Sequence, residues 1–232
     1  MRKQLFCSPA LITFCLSTLI IVIGRILSQS HIYLIFIPLV TMSLLYHYHK
    51  TIEDKDQSFY FILVFCLLGD IIITLDGFYS YTSGLMAYWG ASVLFYFTLY
   101  KELKQPLKEL FEEKKYYIPF LCYGVYFVGL MIFIRPYLAE FFIPILIYAA
   151  TLSFTVGLSF VVYMHNKTES NRYFMQGLFI LSVTASLMGL NRFVFNSHVL
   201  NGLETLLYAP SLFYIYLYFK TKPPRDEKNI LS

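Results

Sequence analysis

The stretch FCLLGDIIITLDGF, residues 65–78, decides how the chain is read. It is apolar enough to lie in lipid, yet it holds one carboxylate, Asp70, near the centre of its apolar run and a second, Asp76, near its end. A charged aspartate at the centre of a bilayer is unfavourable by about 2.5–3.5 kcal/mol even on the lenient insertion scale. Asp70 must therefore face the interior of a bundle, keep its proton, or pair with a base.

Outward from this stretch the same composition continues. The 232-residue chain is 58% hydrophobic and 14% charged, where a soluble globular domain carries about 25% charged residues. Crossing a hydrocarbon core takes roughly 20 apolar helical residues. Eight runs meet that length, at about 5–27, 31–49, 58–79, 81–100, 117–134, 141–164, 173–195 and 198–219. They are too long for barrel strands and do not alternate. Lipid admits only helices or closed barrels, because backbone groups must be satisfied internally. The expectation is an all-α, polytopic membrane bundle of eight transmembrane helices in a single integral membrane domain. The opening Met-Arg-Lys and its long apolar run, with no small-residue cleavage site after it, read as helix 1 rather than a signal peptide. FIPLV at 36–40 recurs as FIPIL at 142–146, the kind of internal likeness expected of two parallel four-helix halves. Pro38 and Pro144 each remove a helix donor there.

Charge sets the orientation. Eight crossings put both termini on one side, and that side holds 15 of the 18 basic residues, leaving Arg25, Arg135 and Arg192 on the other. By the positive-inside rule both termini are cytoplasmic, with a bacterial inner membrane as the simplest setting. The loop KELKQPLKELFEEKK, 101–115, interleaves glutamates with its lysines and reads as a solvated topogenic loop, not a nucleic-acid footprint.

Few motifs compete for function. Cys7, Cys15, Cys66 and Cys122 all lie in apolar runs without C-x-x-C spacing, so neither zinc nor a disulfide framework follows. His47 and His49 are two residues apart at a helix end and share no face for a metal. No phosphate loop, nucleophile elbow or H-E-x-x-H is present, and no cofactor is implied. Most of the 21 tyrosines fall near expected interfaces, but Tyr148 and Tyr208 lie deeper, and a buried phenol needs a polar partner. A shielded acid such as Asp70 is what general-acid chemistry requires. Glu204 and Asp76 are the nearest candidates for a second acid by depth.

Several segments together resemble a known family. Gly69-Asp70 within LLGDIII, Gly84 with Tyr88 four residues on, YLAEFFIPILIYAATLSF at 137–154 and QGLFILSVTASLMGLNRF at 176–193 look like the YhhN family of eight-helix membrane proteins, the lysoplasmalogenases. The resemblance implies hydrolysis of the vinyl ether of lysophospholipids: an acid protonates the vinyl carbon, and a second carboxylate steadies the oxocarbenium-like state or orients water, as paired carboxylates do in glycosidases. It places Asp70 as the acid, and Ser92 and Ser182 on the cavity wall. It also places Asn191 and Arg192 as substrate-binding residues, Arg192 with a planar fork suited to a lipid phosphate. The family's second acid falls on Val183, its Lys-Pro pair on Ile37-Pro38 and its helix-4 histidine on Ser92. Two readings stay open: a hydrolase of alkenyl-ether lysophospholipids, and a non-catalytic protein that binds or moves an amphipathic lipid on the same scaffold.

Overall fold

The structure, a computed structural model, describes residues 8–75, 77–103, 106, 109 and 112–223. It is all-α, with no strand among the described residues. The helices are α1 (Pro9–Ile26), α2 (Ser30–Thr51), α3 (Gln57–Ile72), α4 (Phe78–Tyr100), α5 (Tyr117–Leu138), α6 (Phe142–His165), α7 (Glu169–Leu190) and α8 (His198–Thr221). Among the described residues, four helical stretches are long and apolar enough to cross a membrane: Pro9–Ile26, His31–Thr51, Lys114–His165, which takes in both α5 and α6, and Glu169–Phe195. The expected eight spans therefore do not all meet that measure. α3 is apolar but shorter, and α4 and α8 carry the serines, threonines and tyrosines that lower hydropathy where they face the interior.

Neighbours in sequence pair as α1 with α2, α3 with α4 and α7 with α8, as short connections require. α4 packs on α6 and α1 on α8, which brings the pairs together, while α5 leans chiefly on α6. Pro38 lies inside α2, but Pro144 falls in the first turn of α6, where its missing N–H has no intrahelical acceptor to lose. The donor that Pro144 removes is therefore one the helix does not use.

The largest departure from expectation is the end of α3. The apolar run continues past Ile72, but the helix stops there, and the chain turns through Thr74, whose hydroxyl donates to Ile71 O at 2.6 Å. Gly77 then takes φ +112°, which an L side chain rarely adopts. Two glycines let this turn bury itself. A Cβ on Gly84 would lie 2.9 Å from the Ile73 backbone nitrogen, and one on Gly69 would lie 2.8 Å from the Tyr88 ring. Asp70 consequently stands in the last turn of α3 rather than midway along a 58–79 helix.

The opposite end of the bundle is closed by charge. Lys222, just beyond α8, reaches Glu102 at 2.9 Å and Asp56 at 3.5 Å. Asp56 also caps α3, accepting from the Ser58 amide at 2.9 Å. Burial alone would lift the Asp56 carboxyl, but the Ser58 amide and the Lys222 ammonium outweigh it and hold the group below its ordinary value. Such a depressed acid stabilises the fold above its unfolded value of about 3.9, and the contribution is lost as pH falls through the lower folded value. Thermal melting in detergent should therefore drop steeply below about pH 4, and Asp56→Asn should flatten that limb. Gly84→Val, which must push α4 off the end of α3, should destabilise by about 1–3 kcal/mol in the same measurement.

Candidate functional site

The glycines that seat α3 against α4 also build the site. Tyr88 lies one turn after Gly84, on the same helix face. With Gly69 presenting no side chain, its ring lies against α3, and its hydroxyl donates to Asp70 Oδ1 at 2.6 Å. Tyr33 from α2 donates to the same oxygen at 3.1 Å, and Tyr208 from α8 donates to Oδ2 at 3.0 Å. Asp70 is 2% exposed. A buried carboxylate without partners would be strongly unfavourable. Three phenols from three other helices supply the donors that water would otherwise provide.

A second carboxylate faces the same space. The Arg25 guanidinium sits 3.9 Å above the Tyr33 ring, and its Nη1 is 3.2 Å from Glu204 Oε2. Glu204 is buried. Tyr33 thus holds Asp70 by its hydroxyl and Arg25 by its ring face, joining the two acids through one connected set of contacts. These groups line a cavity of about 500 Å³ at the end of the bundle where α1, α3 and α7 finish and α2, α4 and α8 begin.

The turn between α7 and α8 shapes the mouth. After Leu190 the helix widens into one π-turn, Asn191–Phe195, and Asn196 closes it in the left-handed region, with φ 49°. Such widened turns insert a residue and re-aim the side chains around them. Asn191 donates to Ser197 O at 3.0 Å and to Asn201 Oδ1 at 2.7 Å, and accepts from the Ser197 amide at 2.7 Å. Arg192 is carried over the Tyr81 ring, 4.3 Å from its centroid. Phe193 packs edge-on against the same ring. Arg192 has no carboxylate within 4 Å among the described residues.

The structure sorts the expected residues. Asp70, Tyr208, Glu204, Tyr148, Ser92, Asn191 and Arg192 all border the one cavity. Tyr148 stacks near Tyr88, at 6.2 Å between centroids, and its hydroxyl has no hydrogen-bond partner among the described residues. Ser92 donates to the Tyr88 carbonyl of its own helix, and Asn191 is committed to the α7–α8 turn, so both shape the site more than they offer it free polar atoms. Ser182 does not border this cavity. It lines a small apolar crevice beside it, and its hydroxyl donates to Phe179 O. Val183, where the resemblance puts the second acid, does not border the cavity either, because Leu181, Thr184 and Ala185 present that face of α7. Asp76 lies outside the described residues. Arg25, Tyr33, Tyr88 and Cys66 belong to the site without having been singled out as candidates. The signal was the deficit itself, since a buried acid requires donors. Among the described residues no cluster of histidine, cysteine, aspartate or glutamate could hold a metal ion.

An apolar helical bundle with acids and arginines around an interior cavity fits the class of integral membrane proteins. Within that class the chain belongs to the YhhN family, whose profile matches residues 30–219, from the start of α2 to near the end of α8. No curated protein and no solved structure matches it. Removing the shortest bond to Asp70 tests the cage directly. Tyr88→Phe should lower stability by about 1.5–3 kcal/mol, the scale of a hydrogen bond to a charged group, measured by thermal melting. Tyr96→Phe, on the same helix but away from the cavity, should leave it near wild type.

Proposed function

We propose that the protein hydrolyses the vinyl ether bond of alkenyl lysophospholipids, with Asp70 as the general acid. The observation that carries this reading is that two buried carboxylates, Asp70 and Glu204, border one cavity. In this reading the chain crosses the membrane eight times with both termini in the cytoplasm of a bacterial cell, and the cavity opens towards the outer face of the inner membrane. The charge asymmetry of the sequence supports that orientation.

The chemistry follows from what each group can do. Asp70 gives its proton to the vinyl carbon distant from oxygen, and the electron pair of the double bond forms the new C–H bond. The adjacent carbon and the ether oxygen share the resulting positive charge. Water adds to that carbon, losing its proton to Glu204, which Arg25 holds in place. The hemiacetal then breaks its bond to the glycerol oxygen, which takes up the proton its hydroxyl gives up, releasing a fatty aldehyde and the glycerophospho-alcohol, and the proton held by Glu204 passes through water to restore Asp70. A hydroxyl can donate or accept, so the three phenols around Asp70 can follow the proton on and off by rotating. Glu204 takes the part that the resemblance would assign to position 183. Arg192, with no carboxylate within 4 Å among the described residues, suits a phosphate.

A second reading, a lipid-binding or lipid-moving protein without catalysis, draws support from the three phenols that already satisfy both oxygens of Asp70 and tie four helices together. One assay separates the two. Purified protein incubated with a lysoplasmalogen should release fatty aldehyde, and Asp70→Asn should reduce the rate by about 10²–10⁴-fold, the scale of general acid catalysis. Arg192→Ala should raise KM more than it lowers kcat. Absence of aldehyde with wild-type protein, together with intact lysolipid recovered from it by mass spectrometry, would overturn the hydrolase in favour of the binder.

A further inference from the structure

The acid-bearing cavity adjoins an apolar crevice between α4, α5, α6 and α7, and the two meet at Tyr81, Tyr148, Ala185 and Met188. We propose that this crevice receives the hydrocarbon chain of the same single-chain lipid whose polar end occupies the cavity, an inference that rests on the lipid reading above. Two carboxylates, two arginines and three asparagines border one space. The other is walled by Leu85, Leu130, Met131, Ile134 and Leu152, with serines that bond along or across the helices. An amphipathic guest with one chain matches this division, since its two ends need opposite surroundings.

Two further features point to occupation by a flexible chain. The crevice is narrow, about 50 Å³, and one of its walls is the least anchored helix of the bundle. α5 leans chiefly on α6 and makes little contact with α7. Side-chain hydrogen bonds join α5 to α7 at Tyr126–Ser186 and Tyr123–Ser182. Releasing those bonds lets the crevice widen without disturbing the α1–α2, α3–α4 and α7–α8 pairs that hold Asp70. Open space is also built into one wall, because a Cβ on Gly189 of α7 would meet nothing within 4 Å. Widened by that movement, the crevice would take one chain. A second chain would have to leave through the packed interior.

The test uses purified full-length protein in detergent and a single-chain alkylphosphocholine bearing a diazirine near its chain terminus. This probe has no vinyl ether and reports binding without turnover. After illumination, adducts that unlabelled alkylphosphocholine competes away should map to crevice residues such as Leu130, Met131 and Leu152. Gly189→Phe, which fills the crevice from a position with room for a side chain, should reduce those adducts about tenfold or more, the scale of overfilling a packed space. Ser153→Leu on the facing wall should do the same. Val125→Phe, on the outward face of α5 at 66% exposure for the native residue, should change nothing. Melting temperatures of the variants confirm folding. Wild-type adducts confined to outward residues such as Val125 and Ile132, or crevice adducts undiminished in a folded Gly189→Phe protein, would overturn the proposal. Crevice labelling in a protein that releases no aldehyde would leave the chain site standing and remove only the hydrolase.

Discussion

Everything at the cavity end of this bundle answers the need to solvate one carboxylate away from water. Asp70 receives a hydroxyl hydrogen bond from each of α2, α4 and α8 while belonging to α3. Those four helices cannot be placed independently, because each must bring its donor within about 3 Å of the same group. A buried polar network of this kind specifies one arrangement of helices over its alternatives when fully satisfied. Hydrocarbon surroundings sharpen the requirement, since lipid drives helices together no better than it drives them apart. The polar contacts and close-packed glycines carry that burden.

The same network explains why glycine and aspartate stand together. Gly69 and Gly84 remove the two side chains that would separate the end of α3 from α4, and the space so gained is taken by the Tyr88 ring and the Ile73 backbone. The motif residues therefore act as one geometric unit across a helix pair. Any chemistry at Asp70 inherits its position from them. Arg25 extends the unit to Glu204, so both acids are held by contacts that converge on the single ring of Tyr33.

How far the sequence discloses this differs by element. The positions of α2, α4, α6, α7 and α8 as helices follow closely from the apolar runs, although α4 and α8 fall short of the hydropathy of a membrane span. The end of α3 does not follow, since Ile71, Ile72 and Ile73 look equally helical and only the packing against Gly84 shows that the last of them belongs to a buried turn. Asp70 stands out as a charge among apolar neighbours. Its donors do not, for they arrive from 37, 18 and 138 residues away and resemble ordinary interfacial tyrosines. Arg25 reads as an outer-side charge until Glu204 is seen beside it. Position 183 misleads for a related reason: a one-residue step on a helix turns a side chain by about 100°, enough to move it from the cavity wall to a neighbouring face.

The ionic latch at Lys222 gives the bundle two unlike ends. There Glu102, Asp56 and the foot of α8 are cross-tied by charge, and Tyr48 accepts the Asp56 backbone amide, which adds a further tie. At the other end the helices enclose empty space rather than one another. The base is held by ion pairs and the cavity end by hydroxyl donors to one carboxylate, so acid that neutralises the first set leaves the hydroxyl donors of the second in place.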